Sequence, residues 1–460
     1  MKRALLYIAL DFPPLNSSGT YRNAKFVKYL PRFGWRPVVV TLDWRRVHQE
    51  HPLDAALLED IPEQTPILRL PPFNPAVTLH RLVRRHRSRI QDGVATLTEI
   101  ARDRRPRPPA YRLARSLFHA ALAPLGDVFF YWNFRALPAC LRWARRHRVE
   151  AIFVSVSPWT TALLGLMLKW KLGRPLIVDF RDYWTMWAVK GEPTLRDRLD
   201  AHVERWILRH ADRLICVHPA MARDFQTLEP SCAGKCRAIT NGYDPDDFPS
   251  LGASLTSSAD SSAPLRLVHT GLVWGDAARP LLEALMRLTP DERRRGLRVE
   301  FVGGLPSSQI AFVKRHRLDD CVRIEPRVPH RRAIERMCRA DLLLLLIVDN
   351  EGGRKWYPGK LFEYMYARRP ILAIAPQGIA TQLIREAGVG WAVEPRDIDG
   401  LARILRSLAT DGSLVHHQYY HPREEVIARF HRLRLTRTLA SVLDELCPLN
   451  GSRSTEDQGI

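Results

Sequence analysis

Acidic residues are in short supply in this chain: 49 Asp and Glu stand against 70 Lys and Arg, a formal net charge of +21 over 460 residues. A chain of that sign is drawn to phosphate-bearing partners, whether nucleic acid, an anionic membrane surface or a phosphorylated small molecule. Long apolar runs are missing. Neither Leu342 to Val348 nor Thr161 to Leu168, the longest, approaches the roughly 18 residues of a membrane span. Cysteine is sparse and odd in number, seven residues scattered through the chain, which argues against a disulfide scaffold and predicts free thiols. Cys232-x-x-x-Cys236 lacks the partner ligands of a zinc site. No signal-peptide cleavage site follows the basic Met1-Lys2-Arg3 and the apolar Ala4 to Leu10. Asp11-Phe12-Pro13-Pro14 comes at once, so the run reads as a buried first strand and the protein as cytoplasmic or peripheral. No nucleic-acid module accompanies the charge, so nucleic acid ranks below a membrane surface as its partner.

What is present is globular composition, 46% apolar and 26% charged, in a chain long enough for two domains. The positive charge is uneven: between His80 and Arg148 there are sixteen Arg, no Lys and four acids. Within that window Leu113, Leu117, Phe118, Ala121 and Leu122 are interleaved with Arg112 and Arg115, ahead of Phe129-Phe130-Tyr131-Trp132. Such a segment suits either a membrane interface or an ordinary helix packed on a sheet.

Apolar runs and helical periods alternate along the chain. Ala4 to Leu10, a helix to Leu30, a stop at Gly34 and the strand Pro37 to Leu42 make a βαβ unit, whose first loop holds Ser18-Gly19. Gly19 there serves either a ligand or only its own turn. From Pro52 to Pro109 the chain reads as irregular. The helix Ala136 to His147 and the strand Ala151 to Ser155 lead to Leu176 to Asp179, which ends in Asp179-Phe180-Arg181-Asp182-Tyr183-Trp184. Polar groups at the carboxyl end of a parallel strand lie where open α/β sheets bind ligands. Arg181 and Asp182 could equally form an internal pair that fixes the loop. After Asn241-Gly242-Tyr243-Asp244 comes a Ser/Ala-rich linker. The alternation then restarts with Leu265 to His269 and the loop from Thr270-Gly271 to Arg279-Pro280, and a single final helix is expected from Arg423 to Leu446.

The most informative stretch runs from Gly353 to Ile374: a Pro358-Gly359 turn, a helix carrying Lys360 and Glu363, a stop at Pro370 and a strand. Lys360 and the helix-start N–H groups can hold phosphate while Glu363 takes hydroxyls, or Glu363 only caps its own helix.

This stretch resembles the donor-binding segment of retaining glycosyltransferases of family 4, whose signature is two Glu separated by seven residues. Glu363 matches the second, which in the family binds the donor ribose; Lys355 stands where the first belongs, and Glu351 lies out of register. The Asp179-to-Trp184 strand end and the Asn241-Gly242 passage resemble the same family. The resemblance implies α/β architecture of the GT-B type, two facing Rossmann-like domains with parallel sheets and a C-terminal helix crossing back to the first. The expected boundaries are 1–248 for the acceptor-side domain, 249–264 for the linker, 265–422 for the nucleotide-sugar domain, 423–447 for the returning helix and 448–460 for a tail. It further implies transfer of a sugar from a nucleoside-diphosphate donor to a glycan or lipid-linked acceptor, in cell-surface polysaccharide or glycoconjugate synthesis. Glu363, Lys360, Arg279, Gly19 and Gly271 are the implied donor-binding residues, with Asp182 and Arg181 catalytic on the acceptor side. Leu272 replaces the Arg usual after the loop Gly. No cofactor or metal is expected beyond the nucleotide-sugar co-substrate, because the acidic run Asp244-x-Asp246-Asp247 falls in the interdomain turn. The expected location is the inner face of the membrane, held peripherally on anionic lipid. Two rival readings are a nucleotide-sugar epimerase of the same fold and a non-catalytic basic membrane-binding protein.

Overall fold

The computed structural model describes residues 2–47, 51–75, 123–186, 194–249, 263–411 and 419–448. The chain divides into two compact units: Met1–Thr240 together with the stretch from Thr436, and Asn241–Leu435.

The first unit is built on a seven-stranded parallel sheet in the order β3-β2-β1-β4-β5-β6-β7. Its strands are β1 (Arg3–Ala9), β2 (Trp35–Leu42), β3 (Ile67–Leu70), β4 (Ala151–Val156), β5 (Leu176–Phe180), β6 (Arg213–Cys216) and β7 (Cys236–Ala238). β1 is apolar on both faces because helices cover both, as a parallel sheet requires. Tyr7 stacks on Phe153 of the neighbouring β4 with ring centroids 4.6 Å apart. The helix Ser18–Tyr29 starts where the Ser17 hydroxyl accepts the Thr20 N–H, and the turn after it ends on Gly34, whose φ of 83° a side chain would strain. The chain moves outward from β1 to β2 and β3, then returns to the other side for β4. The β1/β4 boundary is therefore the sheet's topological switch point.

The second unit carries a six-stranded parallel sheet, β10-β9-β8-β11-β12-β13. Its strands are β8 (Leu265–Thr270), β9 (Leu297–Val302), β10 (Val322–Glu325), β11 (Leu342–Leu346), β12 (Ile371–Ile374) and β13 (Gly390–Val393). Leu342, Leu344 and Leu346 enter one apolar layer, while Leu343 and Leu345 enter the other beside Phe362 and Met365. A strand of five leucines thus serves two layers at once; each buried Leu contributes about 1.5–3 kcal/mol.

Three expectations are corrected. The helix expected from Ala136 begins at Phe130 and passes through Pro138, because Trp132, Asn133, Ala136, Cys140 and Ala144 bury along one face and packing overrides the proline's helix-breaking tendency. The stretch read as irregular from Pro52 contains β3, which pairs with β2 as an edge strand, and a 3₁₀ turn at Ala55–Leu58. The single final helix is instead Glu424–Ile427, a 3₁₀ turn, an extended His431 and then Arg432–Leu446. His431 is extended because Tyr243 N–H donates to Phe430 O at 3.1 Å and Arg432 N–H to Tyr243 O at 2.9 Å. Gly242 permits this crossing, since a Cβ there would lie 2.1 Å from Phe430 O.

From Thr436 the last helix belongs to the first unit, where Asp444 accepts hydrogen bonds from Arg3 at 3.3 Å and from the Trp35 indole at 2.9 Å. The expected interfacial segment lies outside the described residues up to residue 122, as do 250–262 of the linker and the tail from 449. Among the described residues no helix is long and apolar enough to cross a membrane.

Candidate active site

In the first unit the polar groups gather at the carboxyl ends of the central strands. Asp11 follows β1, Ser157 follows β4 and Arg181 follows β5. Arg181 ties the three together: Nη1 donates to Asp11 Oδ2 at 3.1 Å, Nε to Val156 O at 3.2 Å and Nη2 to Ser157 O. All three of its nitrogens are thereby occupied. Burial works against its charge, but Asp11, Asp182 and Asp179 more than offset it and raise its pKa. Gly19 belongs to this cluster, for a Cβ there would lie 1.4 Å from Arg181 Nη1 and 2.5 Å from Asp11 Oδ2. The space at Gly19 is therefore filled by the guanidinium.

Asp182, the next residue of the loop, is exposed. Desolvation by the protein crowding its loop raises its pKa, Arg181 pulls it down and Asp11 pushes it up again. Beneath the cluster lies a fully buried pair that the sequence reading did not resolve. Arg22 donates to Asp179 from Nε at 3.0 Å and from Nη2 at 2.7 Å, and to the Thr240 and Ile239 carbonyls at 2.7 and 2.8 Å. Ser155 Oγ adds a third donor to Asp179 at 3.2 Å. An acid closing an otherwise apolar strand signals that a counter-charge is needed, but nothing in the sequence says it comes from Arg22.

In the second unit Lys360 lies in the first turn of the helix Gly359–Tyr366, and its ammonium donates to Nε2 of His269 on β8 at 3.0 Å. Gly271, just past β8 with φ of 80°, lies under it; a Cβ there would sit 3.3 Å from Nζ. Gly303, with φ of 130°, packs against that loop so closely that its own Cβ would lie 2.7 Å from the Gly271 backbone. At Gly359 the space a Cβ would enter is open to at least 4 Å, so the helix start is uncovered there. Burial lowers the Lys360 pKa to about 7, partly countered by Glu363 one turn on. Glu363 Oε1 accepts from His330 Nε2 at 2.9 Å, both side chains being mostly buried. Tyr364 braces the same helix by accepting the Thr270 N–H at 2.9 Å.

Lys360, Gly271 and Glu363 are thus brought together, joined by His269 and His330. His269, a polar residue inside the apolar run of β8, was the available signal for the first. Arg279 is engaged elsewhere: Nε pairs with Glu283 at 2.6 Å and its guanidinium lies 3.9 Å from the centre of the Phe312 ring. Lys355, in place of the absent first Glu, pairs with exposed Glu351 at 3.6 Å.

Residues 94–247 match the family model described as Glycosyltransferase Family 4, and residues 264–411 the one described as Glycosyl transferases group 1. No curated protein matches the sequence. Among solved structures the chain is similar to sucrose-phosphate synthase from Thermosynechococcus elongatus, at 16% identity over 96% of this chain and 99% of that one, with a TM-score of 0.62. It is also similar to Anabaena HepE in complex with UDP and glucose, at 14% identity over 96% and 100% with a TM-score of 0.60. A third is WaaG, a glycosyltransferase involved in lipopolysaccharide biosynthesis, at 16% identity over 97% and 100% with a TM-score of 0.57. At such identities these likenesses speak for the fold.

Proposed function

Because the chain is a glycosyltransferase of the GT-B fold, a family 4 domain followed by a group 1 domain, we propose that it moves a hexosyl group from a nucleoside-diphosphate sugar to a glycan or lipid-linked acceptor. The observation that carries this reading is Lys360, held above Gly271 at an open helix start with Glu363 one turn behind it. In this reading the leaving diphosphate sits against the Lys360 ammonium and the first N–H groups of that helix, and Glu363 takes the ribose hydroxyls. Preorganised positive charge stabilises the departing diphosphate in place of a metal. Arg279 adds charge at longer range once its contact with Glu283 is released.

On the acceptor side Asp182 orients the attacking hydroxyl, and its raised pKa makes it a stronger proton acceptor than a free carboxylate. Arg181 acts by holding Asp11 and the loop after β4, with Gly19 leaving it room. HepE was crystallised with UDP and WaaG acts in lipopolysaccharide biosynthesis, so UDP-sugars and surface-polysaccharide acceptors are the first to try. Retention of the anomeric configuration and independence of divalent metal belong to this reading. So does peripheral attachment to the inner face of an anionic membrane, supported by exposed Phe134 and Val128 near Arg135, whose guanidinium lies 5.9 Å from the centre of the Phe73 ring.

The test is a calorimetric screen of UDP-, GDP- and ADP-sugars, followed by Glu363→Ala on the best ligand. Loss of donor binding is expected, with the melting temperature lowered by no more than the lost His330–Glu363 contact explains, about 1–3 kcal/mol. Near-normal turnover by that variant would remove the donor assignment.

A further inference from the structure

His269 is a fully buried residue of β8, 1% exposed, and both its ring nitrogens have partners. Nδ1 is 2.9 Å from the Leu344 carbonyl on the adjacent β11. A carbonyl can only accept, so Nδ1 carries the proton. Nε2 is 3.0 Å from Lys360 Nζ. An ammonium can only donate, so Nε2 offers its lone pair. The two contacts leave one self-consistent state: a neutral imidazole with its tautomer set by the neighbouring strand. Burial, followed by the Lys360 charge, lowers its pKa well below the ordinary histidine value and outweighs the Leu344 and Leu272 carbonyls, which raise it, in accord with that state. Among the described residues His269 is the one hydrogen-bond partner of the Lys360 ammonium. The glycines beneath add no side chain that could replace it.

We propose that His269 is a positioning residue for the transfer reaction, fixing the Lys360 ammonium over the Gly271 loop so that its remaining N–H groups face the diphosphate of the donor. This rests on the reading of Lys360 as the diphosphate ligand. A lysine carries considerable rotamer entropy, and an acceptor that holds it before the ligand arrives removes that cost from binding. The effect is confined to the phosphate end of the donor: a nucleoside without phosphates gains nothing from it.

The experiment uses the full-length protein and compares UDP, ADP or GDP, whichever binds tightest, with its own nucleoside by calorimetry. His269→Asn keeps an amide N–H at the level of Nδ1 for the Leu344 carbonyl but is too short to reach Lys360. His269→Gln can place its amide oxygen near Lys360. His269→Leu removes both contacts. We expect Asn and Leu to lose roughly tenfold or more in diphosphate affinity with nucleoside binding unchanged, as for a lost hydrogen bond to a charged group, and Gln to recover most of it. If Leu does not fold, the Asn and Gln pair decides. Unchanged diphosphate affinity in Asn, or equal loss of both ligands, overturns the proposal. Lys360→Ala is run alongside: if it too leaves the diphosphate preference intact, the donor reading itself has failed. If only Lys360→Ala loses the preference, His269 alone is excluded.

Discussion

A Cβ placed on Gly19 would lie 1.4 Å from Nη1 of Arg181, so the first helix and the loop after β5 fit together only because residue 19 has no side chain. Gly19→Ala must displace the guanidinium that joins Asp11 to the loop after β4. We expect a loss of about 1–3 kcal/mol in urea unfolding, the usual cost of overpacking, and a fall in turnover beyond what the stability change explains. Retained stability and turnover would show that Arg181 has another seat.

The buried Arg22–Asp179 pair should be far more sensitive to losing one partner than both. Arg22→Met leaves an unpaired carboxylate and is expected to cost about 3–5 kcal/mol, whereas Arg22→Met combined with Asp179→Leu should recover much of that. Equilibrium denaturation of the two variants makes the comparison; additive losses would contradict it.

Lys360 gives pH dependences of opposite sign for stability and for ligand binding. Its folded pKa of about 7 lies below the ordinary lysine value of 10.5, so between those values the unfolded chain holds a proton that the folded one lacks. This group therefore opposes folding most below pH 7 and progressively less as the pH rises toward 10. Diphosphate binding needs the charged form and should weaken above pH 7, with proton uptake measurable as a buffer-dependent calorimetric heat. Glu363 and His269 face the same ammonium, so Lys360→Arg, permanently charged, is the control. Its binding should be flat from pH 6 to 8.5, and a wild-type profile equally flat would argue that Lys360 stays charged throughout.

Anionic vesicles should sediment the protein and neutral ones should not, with salt reversing the binding. Each basic residue near such a surface contributes about 1 kcal/mol, so a few engaged Arg suffice. Equal sedimentation with both lipids would count against the membrane site.

Product analysis by NMR should find the donor's anomeric configuration retained, with turnover surviving chelator. An inverted product would remove the retaining assignment, and strict need for a divalent ion would mean that the leaving group is stabilised otherwise than by Lys360 and the helix start alone.

The sequence alone determined the alternation of parallel strands and helices, because fully buried strands need continuous apolar runs, and Ala4 to Leu10 and Leu342 to Ile347 are such runs. It also placed Lys360 and Glu363 at the start of a helix, since a Pro-Gly turn before a short amphipathic segment marks a helix start. The partners that give those residues their chemistry came only with the tertiary structure. His269 meets Lys360 across 91 positions and Arg22 meets Asp179 across 157, separations over which no local period carries information. Gly19 and Gly242 look like turn glycines in sequence, yet each is required by an atom brought from far along the chain, a guanidinium at one and a carbonyl at the other. Local order follows from the spacing of apolar residues; which charge faces which is decided by the strand order of each sheet, and that order exists only once the strands have packed.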